Sequence, residues 1–108
     1  MDKIVEDATQ ELIRKIRESD TYAEYLQQRE KLMENPDLFE KADEFRKRNF
    51  EIQNDGQDGL FEKMDMLEQE YSEILENPLA SDFLNAELAF CRMIQEINMM
   101  VAAEVDFL

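Results

Sequence analysis

The sequence predicts an all-α protein, a small antiparallel bundle of about five helices with a long C-terminal helix. The chain of 108 residues contains only two glycines and two prolines, the residues that most often interrupt helices. Apolar side chains recur at steps of three and four residues along most of its length. Turn residues cluster at one place, residues 54–59. We expect residues 1–108 to form a single domain, because this length is enough for one small core.

The first two helices are expected at about residues 2–17 and 21–34. Thr21 and Glu24 fit a capping box at the start of the second, and Ser19 and Asp20 offer further capping side chains. The apolar face of the first helix comprises Ile4, Val5, Ala8, Leu12, Ile13 and Ile16, and the inner side of the second comprises Tyr22, Tyr25, Leu26, Leu32 and Met33.

The third and fourth helices are expected to form an antiparallel hairpin. The third begins at Asn35-Pro36, since asparagine is a good N-cap and proline is tolerated at the first helical position. Both helices show alternating steps of four and three residues, the spacing of helices packed at shallow angles. The two rows are Leu38, Ala42, Phe45, Asn49 and Ile52, and then Leu60, Met64, Leu67, Tyr71 and Ile74. The turn at residues 54–59 is short enough to place the two helices side by side.

The fifth helix is expected to run from Asn77-Pro78 to about Glu104, roughly 40 Å at 1.5 Å per residue. It is apolar on more than one stripe, whereas a surface helix needs only one. We therefore expect a homodimer or a larger homo-oligomer. The predicted oligomer interface comprises Leu84, Leu88, Cys91, Ile94, Ile97 and Val101.

Charge is distributed unevenly along the chain. The net charge is −15, of which residues 51–108 carry −12, with 14 acids and two bases. Such a half would repel a phosphate backbone, so direct nucleic-acid binding is disfavoured. It suits a basic protein partner instead, and the predicted partner-binding acidic face comprises Glu62, Asp65, Glu68 and Glu73. The basic run Arg46-Lys47-Arg48 is interpreted as a solvated helix face, since three bases fall short of a basic stripe.

Catalytic chemistry has little support in the sequence. There is no histidine, so no Ser-His or Cys-His pair exists. The single cysteine, Cys91, lies in an apolar row and is interpreted as a core thiol, with a reactive thiol beside Arg92 as the alternative. The acids of residues 60–76 lie off the apolar seam and lack the histidines of di-metal carboxylate bundles. We expect no enzyme activity, no cofactor and no metal.

Localisation follows from similar observations. No apolar run is long enough to span a membrane, and no signal-peptide h-region is visible at the start of the chain. One cysteine cannot form an internal disulfide. These features predict a cytoplasmic protein.

The order and spacing of many residues resemble the YlbF/YmcA family over nearly the whole chain. The first half of the resemblance rests on Ile16, Ser19-Asp20, Tyr22, Tyr25, Leu32, Asn35-Pro36, Leu38 and Phe45-Arg46. The second half rests on Asn77-Pro78-Leu79-Ala80-Ser81-Asp82-Phe83-Leu84-Asn85-Ala86-Glu87, Cys91 and Ile94-Gln95-Glu96-Ile97.

The resemblance implies a self-associating helical regulator of the cytoplasm of Gram-positive bacteria, linked to competence, sporulation and biofilm formation. It implies action together with sister family proteins, as a complex that modulates an endoribonuclease and thereby mRNA processing. Some family members carry extra cysteines implicated in iron–sulfur binding. This chain has only Cys91, whereas such a cluster takes about four thiolate ligands.

Two function classes follow. One is a regulatory adaptor that acts through protein–protein contacts. The other is a metal- or redox-linked helical protein that uses Cys91 or the acidic helix 60–76.

Overall fold

The computed structural model describes residues 1–56 and 58–105. Within these ranges the chain forms six α-helices and no strand. The helices are α1 (Lys3–Arg17), α2 (Asp20–Met33), α3 (Pro36–Asn54), α4 (Leu60–Glu70), α5 (Ser72–Glu76) and α6 (Pro78–Glu104). The all-α prediction and the long C-terminal helix are therefore confirmed. No helix of the described ranges is long and apolar enough to cross a membrane.

Side-chain caps fix most of the helix starts. The Asp2 carboxylate accepts from the Ile4 N–H at 2.9 Å at the start of α1, and the Asn35 side chain accepts from the Leu38 N–H at 3.3 Å at the start of α3. The expected capping box of Thr21 with Glu24 is wrong, because α2 starts earlier. Its cap is Ser19, whose hydroxyl accepts from the Tyr22 N–H at 3.2 Å.

The expected fourth helix is divided into α4 and α5 at Tyr71. That residue has φ −105° and ψ 22°, outside the helical range, although its N–H still bonds the Leu67 carbonyl at 3.1 Å. Helical bonding resumes at once, from the Leu75 N–H to the Tyr71 carbonyl at 3.0 Å. The heptad row runs through this residue without interruption, so the spacing gave no sign of the break.

Contacts between residues group the chain into two compact units, 28–85 and 1–27 with 86–108. The first unit contains the predicted hairpin, in which α3 lies beside α4 and α5. Its core is built largely from the predicted rows and comprises Leu32, Leu38, Ala42, Phe45, Leu67, Ile74, Ala80 and Phe83, all buried. The ring centres of Phe39 and Phe83 are 6.2 Å apart, which adds an aromatic contact between α3 and α6 within this unit.

Two glycines with positive φ form the turn of the hairpin. Gly56 has φ 69° and Gly59 has φ 84°, in the left-handed region that favours glycine. Gly59 directly precedes the first residue of α4, so this conformation turns the chain into the helix. Across the turn, the Lys63 ammonium pairs with the Asp55 carboxylate at 3.0 Å.

The second unit, residues 1–27 with 86–108, contains an aromatic cluster between α2 and α6. The Phe90 ring lies 5.3 Å from that of Tyr22 and 5.5 Å from that of Tyr25, stacked on the latter. By contrast, α1 buries no residue at all, and Ile4 is 80% exposed. The apolar face predicted for α1 is present but largely open to solvent in the single chain. On α2, Leu26 and Met33, expected on its inner side, are also exposed.

Candidate functional site

The predicted acidic face lies on the exposed side of the hairpin. Glu62, Asp65 and Glu68 follow one another at steps of three on α4, and Glu73 lies on α5. All four side chains are exposed, and none has an ion-pair partner within residues 1–56 and 58–105. The expectation that these acids lie off the apolar seam is therefore correct. Their role in binding a partner stays a prediction.

Each base of the run Arg46-Lys47-Arg48 is paired with an acid. Arg46 and Lys47 both contact the Asp43 carboxylate, at 2.5 and 2.9 Å, and Arg48 pairs with Glu70 at 2.8 Å. The hydrogen bonds from Lys47 and Arg46 lower the pKa of Asp43 below its ordinary value. Each of the three bases therefore contacts an acid, with Arg46 and Lys47 sharing one carboxylate, as expected of a solvated helix face.

Arg48 connects α3 to the break between α4 and α5. Besides its pair with Glu70, its guanidinium donates to the Tyr71 hydroxyl at 3.3 Å. The Glu70 carboxylate and this hydroxyl both raise the pKa of Arg48 further above an already high value. On the core side, the Tyr71 ring meets the Phe45 ring edge-on, with 5.6 Å between centres. The break at Tyr71 is thus contacted on the core side by the Phe45 ring and on the solvent side by the Arg48 guanidinium.

Two open cavities lie side by side between α3 and the α4–α5 segment. The larger, about 540 Å³, is lined by Arg48, Ile52, Lys63, Met66, Leu67, Gln69 and Glu70. The smaller, about 330 Å³, is lined by Lys41, Glu44, Glu70, Tyr71, Ser72, Glu73 and Ile74. Glu70 lines both, and the Arg48–Glu70 ion pair lies between them; we call these two neighbouring cavities together the hairpin groove. Of the four predicted acidic-face residues, only Glu73 lines it.

The predicted oligomer interface lies on α6 and is only partly covered by the chain. Leu88 and Val101 are 48% and 56% exposed, and Cys91 is exposed as well. Leu84, Ile94 and Ile97 are half-buried. The neighbouring Met99 and Met100 line another open cavity with Arg92, Gln95 and Glu96. The interface itself stays a prediction, since its test needs a second copy.

The interpretation of Cys91 as a core thiol is wrong for the single chain. Its apolar row suggested burial, yet its side chain is open to solvent. The reason is that α6 carries more apolar residues than one chain of this size covers. The predicted place of Cys91 in an interface between copies is a separate prediction, which this exposure leaves open.

The acids of α4 and α5 do not converge on a metal site. Within residues 1–56 and 58–105, no three side chains of aspartate, glutamate or cysteine are grouped so that they could hold a metal ion.

The chain is similar to proteins from two bacteria. It is 29% identical over 105 residues to a UPF0342 protein of Desulfitobacterium hafniense strain Y51, which covers 92% of this chain and 82% of that protein. It is 26% identical over 106 residues to a UPF0342 protein of Caldicellulosiruptor bescii, covering 95% and 89%. No solved structure matches.

A family model matches nearly the whole sequence, residues 5–106. The match includes both of the Asn-Pro helix starts, the hairpin and all of α6. Its description is control of competence regulator ComK, YlbF/YmcA. The resemblance drawn from the helix starts and the apolar spacing is thus confirmed, and the chain belongs to the YlbF/YmcA family.

Proposed function

We propose that this chain is a non-enzymatic regulatory adaptor that acts through protein–protein contacts. In this proposal it works in the cytoplasm with sister family members, modulates an endoribonuclease complex and so mRNA processing, and thereby affects competence, sporulation and biofilm development. The observation that carries the proposal is a set of four exposed carboxylates on α4 and α5 that have no ion-pair partner among residues 1–56 and 58–105. Glu62, Asp65, Glu68 and Glu73 present negative charge to a partner, while Arg46, Lys47 and Arg48 of α3 each contact an acid.

Exposed charges of this kind chiefly set the association rate and the choice of partner. Salt screens the attraction between such exposed charges and a partner, since the Debye length is about 8 Å at physiological ionic strength. An acidic docking surface therefore makes a definite prediction: partner binding should weaken as ionic strength rises.

The test is a binding titration of the purified chain against the reconstituted endoribonuclease complex with its sister family proteins. The variant reverses Glu62, Asp65, Glu68 and Glu73 to lysine. A matched control reverses four other exposed acids, Glu6, Asp7, Glu30 and Glu34, so that both variants change net charge equally. Binding should weaken about tenfold or more in the first variant, and much less in the control.

Added salt should weaken binding of the unmodified chain in the same direction. Equal losses in the two variants would mean that only net charge matters, which would contradict a specific acidic face. Unchanged binding in the first variant would contradict the proposed surface. Tight binding of bare RNA by the purified chain would contradict the adaptor function itself.

Self-association belongs to the same proposal. We infer that the exposed apolar residues of α6 meet a second copy of the chain, because exposed apolar patches of soluble proteins commonly mark interaction sites.

The metal- or redox-linked alternative has one observation in its favour, the exposure of the Cys91 thiol. An accessible thiol can be oxidised or can bind a metal together with groups from another molecule. Metal analysis and an ultraviolet–visible spectrum of anaerobically purified protein test this alternative. Bound metal at a stoichiometric level, lost in Cys91→Ser, would favour it over the adaptor.

A further inference from the structure

We propose that the hairpin groove binds an amphipathic helix of a partner protein, with an apolar anchor at its Met66 end and a basic residue at its Glu73 end. This inference rests on the adaptor function and names the chemistry of the partner segment. It assigns binding to one side of the hairpin, whereas the acidic face as a whole extends over the outer side of α4.

The Met66 end of the groove is suited to an apolar side chain. Met66 is 70% exposed although it lines a cavity, and buried Leu67 and half-buried Ile52 line the same cavity. Methionine is flexible and polarisable, so it adapts to the shape of an incoming side chain. The charged groups at this end are already engaged, since Arg48 pairs with Glu70 and Lys63 pairs with Asp55. A partner therefore finds apolar surface here and little uncompensated charge.

The Glu73 end has the opposite character. Glu44 and Glu73 line it, both exposed, and neither has an ion-pair partner in the described part of the chain. Of the residues that line this cavity, Lys41 is the base, and Glu44 and Glu73 are the carboxylates that remain once Glu70 is paired with Arg48. The excess of carboxylate favours an incoming guanidinium or ammonium group, and a guanidinium can bond a carboxylate with two donors at once.

The separation of the two ends suggests the spacing in the partner. Met66 and Glu73 are seven residues apart on either side of Tyr71, roughly 10 Å at the helical rise of 1.5 Å per residue, and i to i−4 hydrogen bonds are made both to and from Tyr71. A helix lying along the groove covers this distance in about seven residues, which is two turns and keeps both side chains on one face. Recognition of an amphipathic helix by a groove between helices is a common mode of peptide binding.

The experiment uses two synthetic alanine-based helical peptides, titrated into the ¹⁵N-labelled full chain by NMR. The first carries leucine and arginine seven residues apart. The second has the same composition with the arginine moved two residues, onto the opposite face. The first should bind at least about fivefold more tightly. Its largest amide shifts should fall at Ile52, Met66 and Glu73.

Two pairs of conservative variants locate the binding. Glu44→Gln with Glu73→Gln removes the carboxylates of the groove, and Asp65→Asn with Glu68→Gln removes two on the outer side of α4. All four residues are exposed, so each double variant should fold, as circular dichroism checks. Only the first pair of substitutions should weaken binding of the leucine–arginine peptide, raising its Kd by about threefold or more. Met66→Ser should weaken the binding of both peptides, because both carry the leucine that contacts this end of the groove.

Equal binding of the two peptides, equal effects of the two pairs of variants, or no shifts at millimolar peptide would each overturn the groove proposal. These results do not test binding to the endoribonuclease complex. The adaptor function is tested separately, by the titration with that complex. If that titration also shows no effect of the four reversed acids, both proposals are wrong.

Discussion

The Arg48 guanidinium lies over the Tyr71 ring, with Cζ 5.4 Å from the ring centre, at the point where α4 ends and α5 begins. The same guanidinium pairs with Glu70. One side chain of α3 therefore engages both residues at the break of the neighbouring segment. This contact also separates the two ends of the hairpin groove, since Arg48 lines its apolar part and Glu70 lines both parts.

Replacing Arg48 with alanine should lower the free energy of unfolding only slightly. The loss is small because the pair is solvent-exposed, and water and salt screen exposed ion pairs and cation–π contacts. Urea denaturation followed by circular dichroism measures the change. Arg48→Lys should recover only part of the loss, because lysine lacks the planar group that stacks on the ring.

A double-mutant cycle with Glu70→Gln isolates the pair itself. The changes in unfolding free energy of Arg48→Ala and Glu70→Gln should be less than additive, and this coupling should shrink in high salt. Additive effects of the two changes would show that the pair contributes nothing and that any loss comes from the aromatic contact.

Gly59 should tolerate alanine poorly, with a loss of about 1 kcal/mol in unfolding free energy. Its φ of 84° is a left-handed conformation that side chains with a Cβ rarely adopt. Space is not the reason, since an added Cβ would lie 3.9 Å from its nearest neighbour, a Glu62 carboxylate oxygen. Gly59→Asn is the matched control, because asparagine enters this region more easily, and thermal denaturation should rank it between glycine and alanine. Equal stability of the alanine variant would contradict the assigned turn.

Asp43 should contribute stability that depends on pH. Lys47 and Arg46 hold the pKa of Asp43 below its ordinary value of 3.8. Folding therefore favours the charged form, and the contribution is fully present above pH 3.8 and is lost as the pH falls through the lowered pKa. Asp43→Asn should be less stable than the unmodified chain near pH 7, by no more than about 1 kcal/mol for a pair this exposed.

The measurement is the difference in urea midpoint between the two proteins from pH 7 to pH 2. The difference should be constant down to about pH 4 and should close below it. Glu51→Gln on the same helix removes an exposed carboxylate and serves as the control. A difference that does not change with pH would contradict the ion-pair explanation.

Much of the fold was predictable because local signals and tertiary packing agree. Asn35-Pro36 and Asn77-Pro78 mark helix starts by their own chemistry, and the row from Leu38 to Phe45 is buried as its spacing predicts. The break at Tyr71 was not predictable, because the heptad row passes through it. Ser19 was named among the possible capping side chains, but the sequence did not rank it above the neighbouring Thr21, which offers the same chemistry.

The candidate site was predictable only in part. The exposure of Glu62, Asp65, Glu68 and Glu73 follows from their positions off the apolar row. The hairpin groove does not, since its walls come from two helices and depend on how α3 lies beside α4 and α5. A sequence signal existed in Met66, a large apolar residue outside the heptad row, but such a residue can equally be an isolated surface side chain. Cys91 was misjudged because an apolar row does not reveal whether its own chain covers it.

Self-association should depend on the apolar surface of α6. Leu88→Glu places a charge at the predicted interface, on a side chain 48% exposed in the single chain, so the variant should fold and yet dissociate. Asn98→Glu, also exposed on α6 and outside the predicted interface, is the matched control. Analytical ultracentrifugation at micromolar concentration should give a dimer or larger species for the control and a monomer of about 12.9 kDa for Leu88→Glu.

The Cys91 thiol supplies an independent readout of the same association. It is exposed in the single chain and belongs to the predicted interface, so a second copy should protect it from thiol reagents. Its reaction rate should therefore rise on dilution of the unmodified protein and should be high at all concentrations in Leu88→Glu. A rate independent of concentration in a protein that ultracentrifugation shows to be oligomeric would place the interface elsewhere, and the exposed apolar face of α1, with Ile4 and Val5, would be the next surface to test. A monomer at all concentrations would contradict self-association itself.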